Sequence, residues 1–217
     1  KKPDFLICEI GGTVGDIEGE PFFEAAREWH REKGEKNVLF ILLTLLPFLK
    51  PSGELKTKPS QMAVREIRRQ GIQPDIILAR SDYPISQELV EKIALFCDVS
   101  KEAVIPAPTI KSIYQVPLNF QKNNLSKIIF KKFNLRDKKP NLKKWEILNK
   151  KIEQTKQILK IGIVGKYVEQ KDSYLSLIEA LKIAGFNYDQ KIKIEWLSGE
   201  KLEKDDKNEW KKIKEVK

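Results

Sequence analysis

Short apolar runs alternate along this chain with stretches in which apolar positions recur at spacings of three and four. The first pattern predicts strands and the second predicts amphipathic helices. Residues 4–10 read as a strand that empties into the turn Gly11-Gly12-Thr13-Val14-Gly15. Residues 21–33 read as a helix with Phe22, Ala25, Ala26 and Trp29 on its apolar side. Pro21 in its first turn and Gly34 past its end are the expected punctuation. The longest apolar run lies within 37–46, a length that suits a strand buried on both faces. A polar, turn-rich loop covers 47–58. Residues 60–70 predict a helix with Met62, Val64 and Ile67 on or near one side, closed by Gly71. A short strand over 75–79, a helix over 86–96 with Ser86 as its N-cap, and a last short strand over 103–106 follow.

This order predicts an α/β fold, a parallel sheet flanked by helices. Composition then shifts. Residues 121–160 hold 13 Lys/Arg against three Asp/Glu. A helix over 141–155 would carry Trp145, Leu148 and Ile152 on one side. Beyond it a second α/β unit begins, with a strand and turn over 158–165, a helix over 173–185 and a strand over 191–197. The expected division is a first domain over 1–137, a basic linker helix over 138–157 and the opening of a second domain over 158–217.

Length and charge narrow the picture. The 217 residues allow one full core, or one core and part of another, and the net charge is +10. No apolar run approaches the roughly 18 residues of a membrane span. Residues 1–4 carry no apolar signal core, so a cytoplasmic location is expected. Cys8 and Cys97 sit in apolar runs and are expected as buried free thiols, in keeping with a reducing compartment. No Cys/His cluster suits zinc, and the one histidine, His30, lies on a polar helix where a solvated ring is expected.

Two stretches could carry chemistry. Glu9 ends the first strand and faces the glycine turn, a position suited to Mg²⁺, which prefers oxygen ligands and phosphates. A carboxylate in so apolar a run is costly unless paired or metal-bound. Asp16 and Glu18 follow, and they are equally explained as an acidic cap before a helix. The turn has neither the Gly-Lys-Ser/Thr of a phosphate-binding loop nor GxGxxG, and glycines often serve the backbone alone. In Lys56-Thr57-Lys58-Pro59-Ser60-Gln61, two lysines bracket a threonine before a helix N-terminus, a reasonable cradle for a triphosphate. Taken alone, this hexapeptide reads more readily as a solvated basic loop. The lysines of 122–160 invite a nucleic-acid reading through phosphate contacts. They carry no recognised nucleic-acid-binding signature, and a solvated linker face is the reading favoured.

Glu9-Ile-Gly-Gly-Thr-Val-Gly-Asp-Ile-Glu18 resembles the E-x-GGTVGDIE segment of CTP synthases. Ser52-Gly-Glu-Leu-Lys-Thr-Lys-Pro-Ser-Gln61 is similar to their SGE-x-KTKP-[ST]-Q segment. Ile72-Gln-Pro-Asp75, Arg80-Ser-Asp82 and Lys92-Ile-Ala-Leu-Phe-Cys97 fall in the family's order, as does Ile161-Gly-Ile-Val-Gly-Lys-Tyr167. The resemblance implies a P-loop-NTPase-like amidoligase domain followed by a class I glutamine amidotransferase domain. It implies that ATP with Mg²⁺ phosphorylates O4 of UTP and that ammonia from glutamine replaces that phosphate to give CTP, with GTP as activator. It assigns Lys56, Thr57, Lys58, Pro59, Ser60, Gln61 and Lys92 to UTP and CTP. Asp16, Ile17 and Glu18 are assigned to the pyrimidine nucleotide near a subunit interface, Glu9 to Mg²⁺ and Ile110 to ATP. The Ala107-Pro-Thr-Ile110 stretch departs from the family's more polar pattern. A homotetramer is also implied.

The matching segments belong to the later amidoligase domain and the start of the glutaminase domain, so a fragment is expected. The P-loop, its lysine and a second Mg²⁺-binding aspartate would lie upstream of Phe5. The glutaminase nucleophile elbow would lie beyond Lys217. No catalytic residue is therefore assigned, and turnover by this chain alone is not expected. The competing readings are a non-catalytic form that binds UTP and CTP or assembles with full-length subunits, and a basic nucleic-acid-binding module.

Overall fold

The computed structural model describes residues 3–216, with Lys171 described by its backbone only. The chain divides between Leu142 and Lys143 into two compact units. The first contains α1 (Glu20–Lys33), β1 (Ile41–Leu45), β2 (Phe48–Leu49), β3 (Glu54–Leu55), α2 (Lys58–Arg69), β4 (Ile76–Ser81), α3 (Gln87–Cys97), β5 (Val104–Pro108), α4 (Val116–Lys122) and α5 (Leu125–Lys132).

β4 is the centre of the sheet because its residues are buried on both sides: Ile76, Ile77, Ala79 and Ser81 are almost wholly inaccessible. It pairs in parallel with β1, Ile41 opposite Ile76 through Leu45 opposite Arg80. It also pairs in parallel with β5, Ile77 opposite Val104 through Ser81 opposite Pro108. Strand residues alternate between faces, and the core divides accordingly. Leu42, Ile77, Ala79 and Val104 meet Phe23 of α1, Val64 and Ile67 of α2, and Val90, Ile93 and Ala94 of α3 on one face. On the other, Ile76 and Ile105 meet Leu125, Phe120, Ile128 and Ile129 from α4 and α5. The expected helix-flanked parallel sheet is present. α2 and α3 match the expected helices to within about two residues, and Ser86 caps α3 by accepting from the Leu89 amide at 3.3 Å.

Several expectations are corrected. Residues 5–10 form no ladder, and Phe5, Leu6 and Ile7 are exposed. Cys8 is therefore exposed rather than buried, whereas Cys97 is buried as expected. β1 is buried on one face only. Ile41, Leu43 and Leu45 are exposed because the second core, built from α4 and α5, forms over β4 and β5. In α1 the buried position is Phe23, with Ala26 packed against the core beside it, while Phe22 and Trp29 are exposed. At about 100° per residue, the choice of Phe23 over Phe22 turns the buried stripe by one position. His30 is half-buried against Phe40, ring centroids 5.2 Å apart, rather than solvated. Met62 is exposed. The 47–58 loop contains the antiparallel pair β2–β3, with Phe48 opposite Leu55.

The second unit contains α6 (Lys143–Gln154), β6 (Gln157–Gly165), α7 (Leu175–Asn187), β7 (Gln190–Ser198), α8 (Gly199–Glu203) and α9 (Lys207–Ile213). β6 and β7 pair in parallel from Gln157 opposite Gln190 to Gly165 opposite Ser198, joined through α7. α6, expected as a linker helix, groups with this unit. No helix of the described residues is long and apolar enough to cross a membrane.

Candidate functional site

Lys56 is placed by the end of β1. Its amide donates to the Pro47 carbonyl at 2.9 Å, directly after the strand, and the Leu46 amide donates to Arg80 O at 2.8 Å at the end of β4. The Lys56-to-Gln61 segment therefore lies at the carboxyl end of the parallel sheet, where open α/β folds bind ligands. α2 begins at Lys58 with Pro59 in its first turn, and Thr57 at its N-cap makes no side-chain capping bond. First-turn amides have no partner within a helix, and uncapped they favour an anion.

The six side chains divide. Lys58 and Pro59 are exposed, and Lys56 and Gln61 are half-buried. Thr57 is buried and accepts from Gln61 Nε2 at 3.1 Å. Ser60 is fully buried; its hydroxyl donates to Thr44 Oγ1 at 3.0 Å and points into the core. Ser60 thus holds the first turn of α2 on β1, and its side chain faces away from solvent.

Lys92 is exposed on α3, the helix that follows β4. Lys56 is hydrogen-bonded to Glu54 of β3. The Lys56 ammonium hydrogen-bonded to Glu54 holds that carboxyl below the usual carboxylate range and its charge adds to this, against an opposing effect of burial; Ser52 and, least of all, the Lys92 charge lower it slightly further. Reading the sequence passed over Glu54 as a site residue. The signal available was its place two residues before Lys56, on the same side of an extended strand.

The acidic residues form a second cluster. Glu9, Asp16 and Glu18 line a pocket of about 260 Å³ with Gly11, Gly12 and Phe22. Asp16 closes the glycine turn, its Oδ2 accepting from the Thr13 amide at 2.9 Å and its own amide donating to Thr13 O at 3.0 Å. Gly15, at φ +100°, sits where an added Cβ would lie 3.2 Å from Glu66 Cγ, so the turn packs directly on α2. Ile17 is 82% exposed. Glu9 is exposed too, so the argument that its carboxylate needs a metal to offset burial does not hold. Among the described residues no three His, Cys, Asp or Glu side chains gather closely enough to hold a metal ion. A lone carboxylate still fits Mg²⁺ bound mainly through nucleotide phosphates and water.

Ile110 follows β5 and is half-buried. Its neighbour Thr109 donates from its amide to Ser81 O at 2.7 Å and from Oγ1 to Asp82 Oδ1 at 2.6 Å, which fixes the exit of β5 to that of β4. Ile110 thus shares the carboxyl edge with the lysines. Among the described residues no hydrogen bond or ion pair joins the acidic pocket to the lysine cluster.

Comparison with known proteins fits this arrangement. The family described as the CTP synthase N-terminus matches residues 1–135. A CTP synthase of Methanocaldococcus jannaschii is 51% identical over 203 residues, which are 94% of this chain and 38% of that protein. One of Methanococcus maripaludis is 50% identical over the same share of each. One of Bacillus subtilis is 45% identical over 199 residues, 92% of this chain and 37% of that protein. The chain thus spans under two fifths of the length of the curated relatives it matches. On the strength of the matched domain and of these identities, the chain belongs to the CTP synthase family.

Proposed function

We propose that this chain carries the pyrimidine-triphosphate site of a CTP synthase, the enzyme that aminates UTP at C4 at the expense of ATP. The observation that supports this best is the placement of Lys56 at the carboxyl edge of the parallel sheet, its amide bonded to Pro47 O just beyond β1. The uncapped start of α2 lies beside Lys56. A triphosphate needs fixed cations and amide donors more than it needs shape, because its charge dominates its binding.

In this reading Lys56 and Lys58 bind phosphate oxygens, and Lys92 approaches the same nucleotide from α3. Gln61 and the first-turn amides of α2 donate to it, while Thr57, Pro59 and Ser60 set the path of the backbone. Asp16, Ile17 and Glu18 contact pyrimidine nucleotide from a separate pocket, which would be reconciled with the lysine cluster by a homotetramer that brings pockets of neighbouring subunits together. Glu9 holds Mg²⁺ in company with phosphates. When bound, that ion neutralises phosphate charge. Ile110 packs against ATP. Glutamine supplies the ammonia and GTP activates its release in a glutaminase domain of which the second unit, residues 143–217, is the start.

Thermal unfolding followed with each nucleotide tests the reading. CTP and UTP with Mg²⁺ should raise the midpoint of the wild-type chain and leave Lys56→Ala unmoved. An equal shift in both proteins would place the nucleotide elsewhere.

A further inference from the structure

Tyr83 is mounted firmly at the carboxyl edge of the sheet. It follows the end of β4 by two residues, and its amide donates at 3.1 Å to the hydroxyl of Ser81, which is almost wholly buried. Asp82 beside it accepts from Thr109 Oγ1 at 2.6 Å, so the chain leaving β4 is tied on both sides of Asp82. The Tyr83 ring rests on Phe48, with centroids 4.2 Å apart and planes at 34°. Phe48 is half-buried and packs against the main core, and a ring backed in this way keeps its orientation. Tyr83 is nevertheless 45% exposed. Phe48 covers one side of the ring, and the rest meets solvent.

Phe48 is also joined to the Lys56-to-Gln61 segment. It lies opposite Leu55 in the β2–β3 pair, and the carbonyl of Pro47 just before it accepts from the Lys56 amide at 2.9 Å. One residue, Phe48, thus separates the Tyr83 ring from the backbone that carries Lys56. A pyrimidine triphosphate has the same plan, with charge at one end, a flat base at the other and the ribose between them. β1 and β5 flank β4 on opposite sides. Phe48 follows β1 and Ile110 follows β5, so a ring leaning on Phe48 is turned toward the lysine segment and away from Ile110.

We propose that Tyr83 is the base-stacking residue of the pyrimidine-triphosphate site, with Phe48 as the ring that holds it in place. This deepens the reading of the Lys56-to-Gln61 segment as that site and rests on it. The lysines and the first-turn amides of α2 answer the phosphates, and a fixed aromatic face answers the base. Because the ring is held before the ligand arrives, little freedom is lost on stacking. Every base has a π face, so Tyr83 distinguishes a nucleotide from a bare triphosphate rather than uracil from cytosine.

Equilibrium dialysis with radiolabelled UTP, ATP and inorganic tripolyphosphate, each with Mg²⁺, on the wild-type chain, Tyr83→Leu and Tyr83→Phe tests this. Tyr83→Leu should bind UTP at least about fivefold more weakly and bind tripolyphosphate and ATP as wild type does. Tyr83→Phe keeps the ring and should match wild type with all three. Equal weakening toward UTP and tripolyphosphate in Tyr83→Leu would make Tyr83 a support of the lysine segment and overturn the inference. Unchanged UTP binding, or a loss confined to ATP, would overturn it too. If the wild-type chain binds neither UTP nor tripolyphosphate, the site reading falls and takes this inference with it. If UTP binding is lost in Lys56→Ala but not in Tyr83→Leu, only the inference falls.

Discussion

The Ser60 hydroxyl donates to Thr44 Oγ1 at 3.0 Å with both residues buried, so one hydrogen bond in the core fastens the start of α2 to β1. That start carries Lys56, Thr57 and Lys58, and the bond therefore positions the lysine cluster without touching a ligand. Ser60→Ala leaves the Thr44 hydroxyl without this donor inside the core. A loss of about 1–3 kcal/mol is expected, because an unsatisfied buried polar group costs that much. Urea unfolding of Ser60→Ala, Thr44→Val and the double variant would measure it. The double variant should lose less than the sum of the two single losses, since removing both partners leaves nothing unsatisfied.

Much of this arrangement was legible in the sequence, and the gaps have physical causes. β4, α2, α3 and β5 follow from hydrophobic periodicity bounded by Gly71, Ser86 and Pro47, because each buries a face inside one unit. Residues 5–10 and the outer face of β1 have the same apolar character, yet Ile7, Leu43 and Leu45 are exposed. Periodicity reports which residues can be buried and not what is available to bury them. In α1, Phe22 and Phe23 are adjacent, and a pattern tolerant by one position could not decide between them. The lysine cluster was visible as a motif. Glu54 lies within that motif, but its partnership with Lys56 does not show there, because an ion pair across two residues depends on strand geometry that a turn-rich loop conceals.

Gly15 tests the contact between the glycine turn and α2. At φ +100°, with Glu66 Cγ 3.2 Å from an added Cβ, Gly15→Ala should destabilise the chain by about 1–3 kcal/mol through backbone strain. Thermal or urea unfolding checks it. Gly11→Ala is the comparison, with nothing within 4 Å of its added Cβ and no positive φ, and it should cost far less.

Asp75 spends both carboxylate oxygens on different elements. Oδ2 accepts from the Phe40 amide at 2.8 Å, and Oδ1 accepts from the Lys132 ammonium of α5 at 2.5 Å. Asp75→Ala removes both acceptors from a half-buried position, and a loss of about 1–3 kcal/mol in urea unfolding is expected. Lys132→Ala, which leaves the Phe40 bond intact, should lose less.

The two thiols should behave oppositely. Cys8 is exposed and should react with a thiol reagent in the folded protein. Cys97 is buried, and burial pushes its thiol up from the ordinary cysteine range against a smaller opposing effect of the Arg68 charge. It should react only on unfolding. A raised folded-state pKa means that the folded form holds its proton where the unfolded form has released it. The stabilising contribution is therefore complete below the ordinary thiol pKa and is lost as pH rises through the raised one. Cys97→Ala should lose less stability than wild type between neutral and alkaline pH.

Pyrimidine triphosphate is proposed to bind at Lys56 and Lys58, with Lys92 approaching from α3. Calorimetric titration of the wild-type chain with CTP and with UTP, each with Mg²⁺, beside Lys56→Ala, tests this most directly. Saturable binding by the wild-type chain is expected, with an affinity at least tenfold lower in the variant, since a charge-assisted hydrogen bond contributes about 1.5–3 kcal/mol. A folded wild-type chain that binds neither nucleotide, or a folded Lys56→Ala that binds both as well as wild type, would contradict it.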